Sequence, residues 1–233
     1  GLGQGMALGL AQAGCDIVGI NIVEPTDTIA KVEALGRRFL SLKADVSNTE
    51  ALEGLVGQAV ATFGRVDILV NNAGIIRRDD AINFSEKDWD DVMNINVKSV
   101  FFMSQAVARQ FIAQGHGGKI VNIASMLSFQ GGIRVPSYTA SKSGVMGITR
   151  LMANEWAKHG INVNAIAPGY MATNNTAALR ADEERNAEIL GRIPANRWGT
   201  PDDLMGPVVF LSSAASDYIN GYTIAVDGGW LAR

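Results

Sequence analysis

Tyr138 and Lys142 stand four residues apart in a stretch with helical spacing, which puts a phenol and an ammonium one above the other on a single helix face. A phenol with an ordinary pKa near ~10 is a poor acid–base group at neutral pH, and a nearby cation draws it toward a useful range. By itself the spacing also fits an ordinary exposed helix. Ser125 ends an apolar run that reads as a strand, so its hydroxyl is placed to reach the same substrate oxygen. As an alternative, Ser125 caps a turn. Asn96 falls inside a long helical stretch, where asparagine is a mediocre choice; it is either a buried functional group or a solvent-facing one. Such a set would move a proton on or off a carbonyl or hydroxyl oxygen.

Other residue types point to a ligand. Gly1-Leu2-Gly3 precedes a helical run and suits close approach of backbone amides to a pyrophosphate at a helix N-terminus, although a glycine cluster also makes a plain turn. Asp45, after a strand, either accepts from an adenine amino group or caps the next helix. Asn71-Asn72-Ala73-Gly74 forms a tight hydrogen-bonding turn that a flat ligand can approach. His116 and His159 have no ligand set beside them, so no metal site is expected.

These residues need a scaffold, and the alternation of element types supplies one. Met6–Ala13, Thr28–Leu35, Glu50–Phe63, Lys87–Gln114, Ser137–Lys158, Ala178–Leu190 and Asp202–Ser212 read as helices. Asp16–Val23, Arg38–Ala44, Val66–Val70, Lys119–Ala124, Ile161–Ala167 and Tyr222–Val226 read as strands. Strands separated by helix-length segments imply right-handed crossovers. The fold class is α/β: a single Rossmann-like, doubly wound parallel sheet with helices on both faces, in one domain over residues 1–233. Ligands bind such sheets beyond the carboxyl ends of the strands, which is where Gly1–Gly5, Asp45, Asn71–Gly74, Ser125 and Pro168-Gly169 cluster.

The whole chain sets bounds. Its 233 residues suffice for one large core, and 47% hydrophobic with 18% charged residues describe a globular protein. A net charge of -3 offers no basic field for nucleic acid or an anionic membrane, and no apolar run is long enough for a span. One cysteine, Cys15, excludes an intrachain disulfide and fits a reducing, cytoplasmic setting. The chain opens without methionine, in what reads as the middle of a phosphate-binding loop, so a missing targeting signal says little about location.

In order and spacing, these motifs resemble the short-chain dehydrogenase/reductase family over essentially the whole chain. Gly1 and Gly3 match the second and third glycines of its T-G-x-x-x-G-x-G loop; the first glycine and the strand before it are missing. That strand lies mid-sheet in the family, and a gap there leaves backbone groups unpaired, so a further loop and strand upstream are expected. The resemblance makes Asn96, Ser125, Tyr138 and Lys142 the catalytic set. It assigns the cofactor to Gly1, Leu2, Gly3, Asp45, Val46, Asn72, Ala73, Gly74, Tyr138, Lys142, Pro168, Gly169 and Thr173, with Asp45-Val46 at the adenine and Thr173 at the carboxamide. It further implies hydride transfer between a nicotinamide and a carbonyl carbon, with Lys142 lowering the Tyr138 pKa and Asn96 positioning Lys142 through a water. Asn21 occupies the position where NAD-preferring members carry an acid. It can bond a ribose hydroxyl but does not repel a 2′-phosphate, and no Arg or Lys adjoins it; NAD is favoured over NADP.

Met126–Ser137, Gly169–Thr176 and the ending Val226–Arg233 resemble the family members that act on keto and hydroxy sugar acids of uronate breakdown. Such a substrate needs a cation: Arg134 leads, with Arg77 and Arg78 as runners-up, since a guanidinium binds a carboxylate bidentately. Gln130 and Tyr170, with Ser125 and Tyr138, complete the candidate substrate contacts. The resemblance also implies a homotetramer. Rival readings are a 3-oxoacyl carrier-protein reductase or another sugar-alcohol dehydrogenase with the same machinery, and a catalytically silent cofactor-binding regulator.

Overall fold

The computed structural model describes all residues, Gly1–Arg233. In chain order they form α1 (Leu2–Gln12), β1 (Ile17–Asn21), α2 (Thr26–Ala34), β2 (Phe39–Lys43), α3 (Leu52–Phe63), β3 (Ile68–Asn71), α4 (Glu86–Met93) and α5 (Ser99–Gln114). The second half adds β4 (Gly118–Ile123), α6 (Pro136–Trp156), β5 (Ile161–Pro168), α7 (Ala177–Ala181), α8 (Glu183–Arg192), α9 (Met205–Ser212) and β6 (Thr223–Val226). Every strand pairing is parallel. The local chemistry explains the boundaries. Gly64 and Gly115 end α3 and α5 at φ 82° and 79°, where a side chain would be strained. Ser85 caps α4 by accepting from the Asp88 amide at 3.1 Å, and Pro136 opens α6 with its fixed φ.

Adjacent strand residues feed opposite layers. Ile120, with Leu42, Phe111, Met152 and Val163, packs under α3, α5 and α6. Val121, with Met6, Leu10, Ile166 and Val208, packs under α1 and α9. This is the doubly wound arrangement, helices on both faces of parallel strands. Helix α1 seats closely because Gly5 and Gly9 lie one turn apart. A Cβ on Gly5 would stand 2.5 Å from the Pro201 carbonyl oxygen, and one on Gly9 would stand 2.9 Å from the Met205 Cβ.

Hydrogen bonding divides the strands into two groups, β1-β2 and β3-β4-β5-β6. Between them lies a cavity of about 750 Å³ whose walls include Ile17–Asn21 and Ile68–Asn71. The layering is that of one sheet, interrupted between β1 and β3.

Two helical stretches differ from expectation. Lys87–Gln114 is α4 and α5 joined by a π-helical turn, Asn94–Lys98, which carries Asn96. An inserted π turn widens the helix and re-aims a side chain without breaking the rod. Ala178–Leu190 is two helices, because Asp182 turns extended (ψ 109°) and caps α8 by accepting from the Arg185 amide at 3.0 Å.

Candidate active site

Helix α6 presents Tyr138 and Lys142 one turn apart, with the Lys142 Nζ 5.6 Å from the phenol ring centre. Lys142 is 5% exposed and donates to the Ile123 carbonyl, at the end of β4, at 2.6 Å. Burial of the ammonium pulls its pKa from 10.5 to about 8. Burial also dominates Tyr138, raising its pKa, while the Ser125 hydroxyl and the charge of Arg78 pull the other way. The phenol is thus held neutral, a proton donor at neutral pH. The sequence expectation was a phenol lowered by Lys142. The structure instead packs both groups closely enough that desolvation outweighs the neighbouring charges.

Ser125 leaves β4 extended and caps a short turn, Met126–Ser128, its Oγ accepting from the Leu127 amide at 3.2 Å. Capping and proximity to the phenol coexist in this residue. The Ser128 hydroxyl accepts from the Ser125 amide at 3.3 Å and donates to the Lys142 carbonyl at 2.6 Å, tying the Ser125 turn to α6. Asn96 is wholly buried. Its Oδ1 accepts from the Ile75 amide at 2.8 Å, and its Nδ2 donates to the Ile75 carbonyl at 2.9 Å and to Ser141 Oγ at 3.0 Å. Ser141 in turn donates to the Tyr138 carbonyl at 2.8 Å. Asn96 therefore braces the turn after Gly74 against the backbone of α6. Glycine is needed there: a Cβ on Gly74 would stand 3.3 Å from Asn96 Oδ1 and 3.7 Å from Lys142 Nζ. Ser128 and Ser141 are positioning residues that spacing alone does not reveal, since serine is commonplace in turns and helices.

The proposed cofactor positions fall along one edge of the molecule. Helix α1 begins at Gly1 with no side-chain cap, leaving its first amides open to an anion. A Cβ on Gly3 would meet Asn72 Nδ2 at 2.7 Å, so the glycine loop lies against the exposed Asn72-Ala73-Gly74 turn. Leu2 and Val46 turn their side chains into the two core layers. Asp45 is exposed and accepts from the Ser47 amide at 2.9 Å, which lowers its pKa; this is the turn-capping alternative realised. The Asn21 Nδ2, at the end of β1, is buried and has no partner, a donor awaiting an acceptor oxygen. Gly169 follows β5 and packs where its Cβ would be 2.6 Å from that of Asp227, and buried Pro168 precedes it. Thr173 caps the turn Asn174–Thr176, and its carbonyl accepts from Arg180 at 3.0 Å.

The three arginines part company. Arg134 has φ 62° and pairs with Asp80 at 3.0 Å; Arg77 pairs with Asp88 at 3.2 Å. Arg78 forms no ion pair, and its charge acts on the Tyr138 phenol. Gln130 Oε1 accepts from Trp230 Nε1 at 3.2 Å, and Tyr170 lies edge-on between Trp198 and Trp230 with ring centres 5.4 and 4.8 Å away. No group of three His, Cys, Asp or Glu side chains is placed to hold a metal ion, and no helix is long and apolar enough to cross a membrane.

A family model described as enoyl-(acyl carrier protein) reductase matches residues 1–231. The 2-dehydro-3-deoxy-D-gluconate 5-dehydrogenase of Escherichia coli is 81% identical over 233 residues, covering 100% of this chain and 92% of the relative. The enzyme of the same name from Bacillus subtilis is 53% identical over 234 residues, covering 100% and 91%. The crystal structure of a gluconate 5-dehydrogenase from Burkholderia cenocepacia, in complex with NADP and tartrate, superposes with a TM-score of 0.93 at 39% identity, covering 100% and 92%.

Proposed function

The chain belongs to the short-chain dehydrogenase/reductase family, and from that premise we propose that it is a 2-dehydro-3-deoxy-D-gluconate 5-dehydrogenase, moving a hydride between a nicotinamide and a sugar acid. The chemistry rests on one observation: a neutral, half-buried phenol and a lysine brought to about 8 share a pocket beside the Ser125 hydroxyl. The substrate class is supported by the 81% and 53% identical relatives. The description of the family model names a carbon–carbon double-bond reduction; the pairing of Ser125 with Tyr138, beside Lys142, supports chemistry at an oxygen instead.

A nicotinamide dinucleotide, held by the α1 amides and Asn21, would supply or accept the hydride. In reduction, Tyr138 gives its proton to the substrate oxygen as the carbonyl carbon is reduced, and Ser125 donates a hydrogen bond to that oxygen. Lys142, with a pKa of about 8, carries a proton at neutral pH and offsets the charge left on the phenolate. Asn96 keeps Gly74 and α6 at a fixed spacing. Oxidation runs these roles backward. Arg78 is assigned to the substrate carboxylate, because Arg134 and Arg77 already hold acids while Arg78 projects its charge toward Tyr138.

The residues present fit a dinucleotide. Open amides at α1 suit phosphates, and the orphaned Asn21 Nδ2 suits a ribose oxygen. We favour NAD over NADP. Glu24, whose carboxylate accepts from Ser41 at 2.8 Å, adds negative charge just beyond β1, although Asn21 itself pairs in register with Lys43. The outer faces of α5 and α6 expose Phe102, Ile112 and Leu151, which supports a homotetramer. The cytoplasm suits its one free cysteine. A panel of keto and hydroxy hexonates and uronates, each with NAD(H) and NADP(H) and followed by the reduced nicotinamide absorbance, tests the assignment. Turnover confined to fatty-acyl thioesters would overturn it.

A further inference from the structure

Trp230 and Gln130 are 100 residues apart in sequence, yet share the hydrogen bond from indole Nε1 to amide Oε1. An indole N–H only donates, so Gln130 must turn its carbonyl oxygen toward Trp230. Its amide nitrogen is then the free end, and no protein group accepts from it. Gln130 belongs to the segment that Ser125 opens, its own backbone amide donating to the Met126 carbonyl at 3.2 Å.

Trp230 is itself held firmly. It is 4% exposed and packs with Met126 of the Ser125 turn and with Ile189 of α8. The Arg192 guanidinium lies 4.0 Å from its ring centre, a stacking contact that also comes from the end of α8. Asp227 shapes the tail by accepting from the Gly229 and Leu231 amides, both at 2.9 Å. Arg233 then donates to the Gly191 carbonyl at 2.6 Å and the Arg192 carbonyl at 3.3 Å, satisfying groups at the C-terminus of α8. Three bodies therefore meet at one indole: the Ser125 turn, α8 and the C-terminal tail.

We propose that Trp230 is a positioning residue that fixes the Gln130 amide as a hydrogen-bond donor to a substrate oxygen and, in the same contact, locks α8 to the Ser125 turn. The acceptor's identity rests on the sugar-acid reading; hydroxyl and carboxylate oxygens both accept. Without the indole N–H, the Gln130 amide is free to flip and half of its orientations present an acceptor to an acceptor.

Trp230→Phe keeps an aromatic ring, deletes the donor and trims the buried ring that packs on Met126 and Ile189. Sugar-acid KM, cofactor KM and kcat are measured with 2-dehydro-3-deoxy-D-gluconate for wild type, Trp230→Phe, Gln130→Ala, Gln130→Glu and the Trp230→Phe/Gln130→Ala double variant. Loss of one ordinary hydrogen bond corresponds to a rise of about three- to tenfold in sugar-acid KM. The cofactor KM stays unchanged. The double variant should be no worse than Gln130→Ala alone, because both remove one interaction. Gln130→Glu, which keeps the acceptor for Trp230 but loses the donor, should raise KM at least as far as Gln130→Ala. Independent, multiplying effects, a matching shift in cofactor KM, or a wild-type KM in Gln130→Glu would each overturn the proposal. If the wild type turns over no sugar acid, the functional reading fails separately, and the locking is then read by hydrogen exchange. Trp230→Phe should speed exchange of the Glu183–Arg192 amides about three- to tenfold without altering α6, and unchanged exchange there would overturn it.

Discussion

Replacing Lys142 by methionine should change the sign of its effect on stability as pH rises. The ammonium is buried, and its pKa falls from 10.5 to about 8. Folding therefore disfavours the charged form, by an amount on the order of a few kcal/mol. Below about pH 8 the lysine is protonated in both states and the native protein carries that whole cost. Between about 8 and 10.5 the unfolded chain binds a proton that the native chain does not, so stability rises with pH, by at most ~1.4 kcal/mol per unit. Above that window the cost is gone. Methionine removes the cost at every pH but strips the Ile123 carbonyl of its 2.6 Å donor, a loss of about 1–3 kcal/mol.

Lys142→Met is therefore expected to match or exceed wild-type stability at pH 7, by about 0–2 kcal/mol, and to be the weaker protein by about 0–2 kcal/mol at pH 10, near the top of the window. Urea unfolding of both proteins at pH 7, 8, 9 and 10, followed by the fluorescence of the 4 tryptophans, measures the difference; other alkaline groups titrate in both and cancel. A difference that stays constant within ~0.5 kcal/mol across that range would refute the account of Lys142 as a desolvated ammonium.

Tyr138→Phe should cut turnover by about 10²–10⁴ while cofactor binding, read by nucleotide fluorescence, survives; retention of more than about a tenth of the activity would remove Tyr138 from the proton step. Arg78→Ala should raise the sugar-acid KM about 10- to 100-fold, the worth of a charge-assisted hydrogen bond, whereas Arg134→Ala, whose guanidinium rests on exposed Asp80, should change it less than ~3-fold. The opposite ranking in steady-state kinetics would return the carboxylate to Arg134. Gly5→Ala forces a Cβ against the Pro201 carbonyl oxygen and should cost about 1–3 kcal/mol, lowering Tm by several degrees, while Gly57→Ala in α3 meets nothing within 4 Å and should stabilise by ~0.5–1 kcal/mol. Equal Tm shifts for the two would show that α1 can move away from Pro201.

Some of this site is legible in the chain and some is not, for reasons of range. Tyr138 and Lys142 are set by helix period, and Ser125, Asn72 and Gly169 by the strands that precede them; these are local rules. The alternation of strand and helix likewise reports the doubly wound layers, because each element must bury a face on its own period. The π turn at Asn96 is invisible to period, since Met93-Asn94-Ile95-Asn96 continues an apolar stripe; only its three bonds to Ile75 and Ser141 show why the helix widens. The arginines were indistinguishable as letters. Arg134 stands one turn before Tyr138 in sequence, yet φ 62° at that residue turns the chain away from the helix and delivers its side chain to Asp80, an acid 54 positions upstream. Arg78 gains its role from the absence of such a partner, a property of the whole fold.

The same distinction bears on why Lys142 is tolerated at all. An uncompensated buried ammonium is among the costlier groups a core can hold, and nothing acidic offsets it here: desolvation is the one influence on its pKa. A purely structural helix would place leucine or methionine at that position. Ile123 accepts a hydrogen bond from it, Ser128 holds its carbonyl, and Asn96 with Ser141 braces the turn above it, so four residues from four elements hold one destabilising side chain in place. Lysine at about 8 changes its charge near the working pH, which an arginine or an exposed lysine does not do. The stability given up at Lys142 is thus the physical counterpart of its proton chemistry, and a variant that regained the one without losing the other would contradict the mechanism.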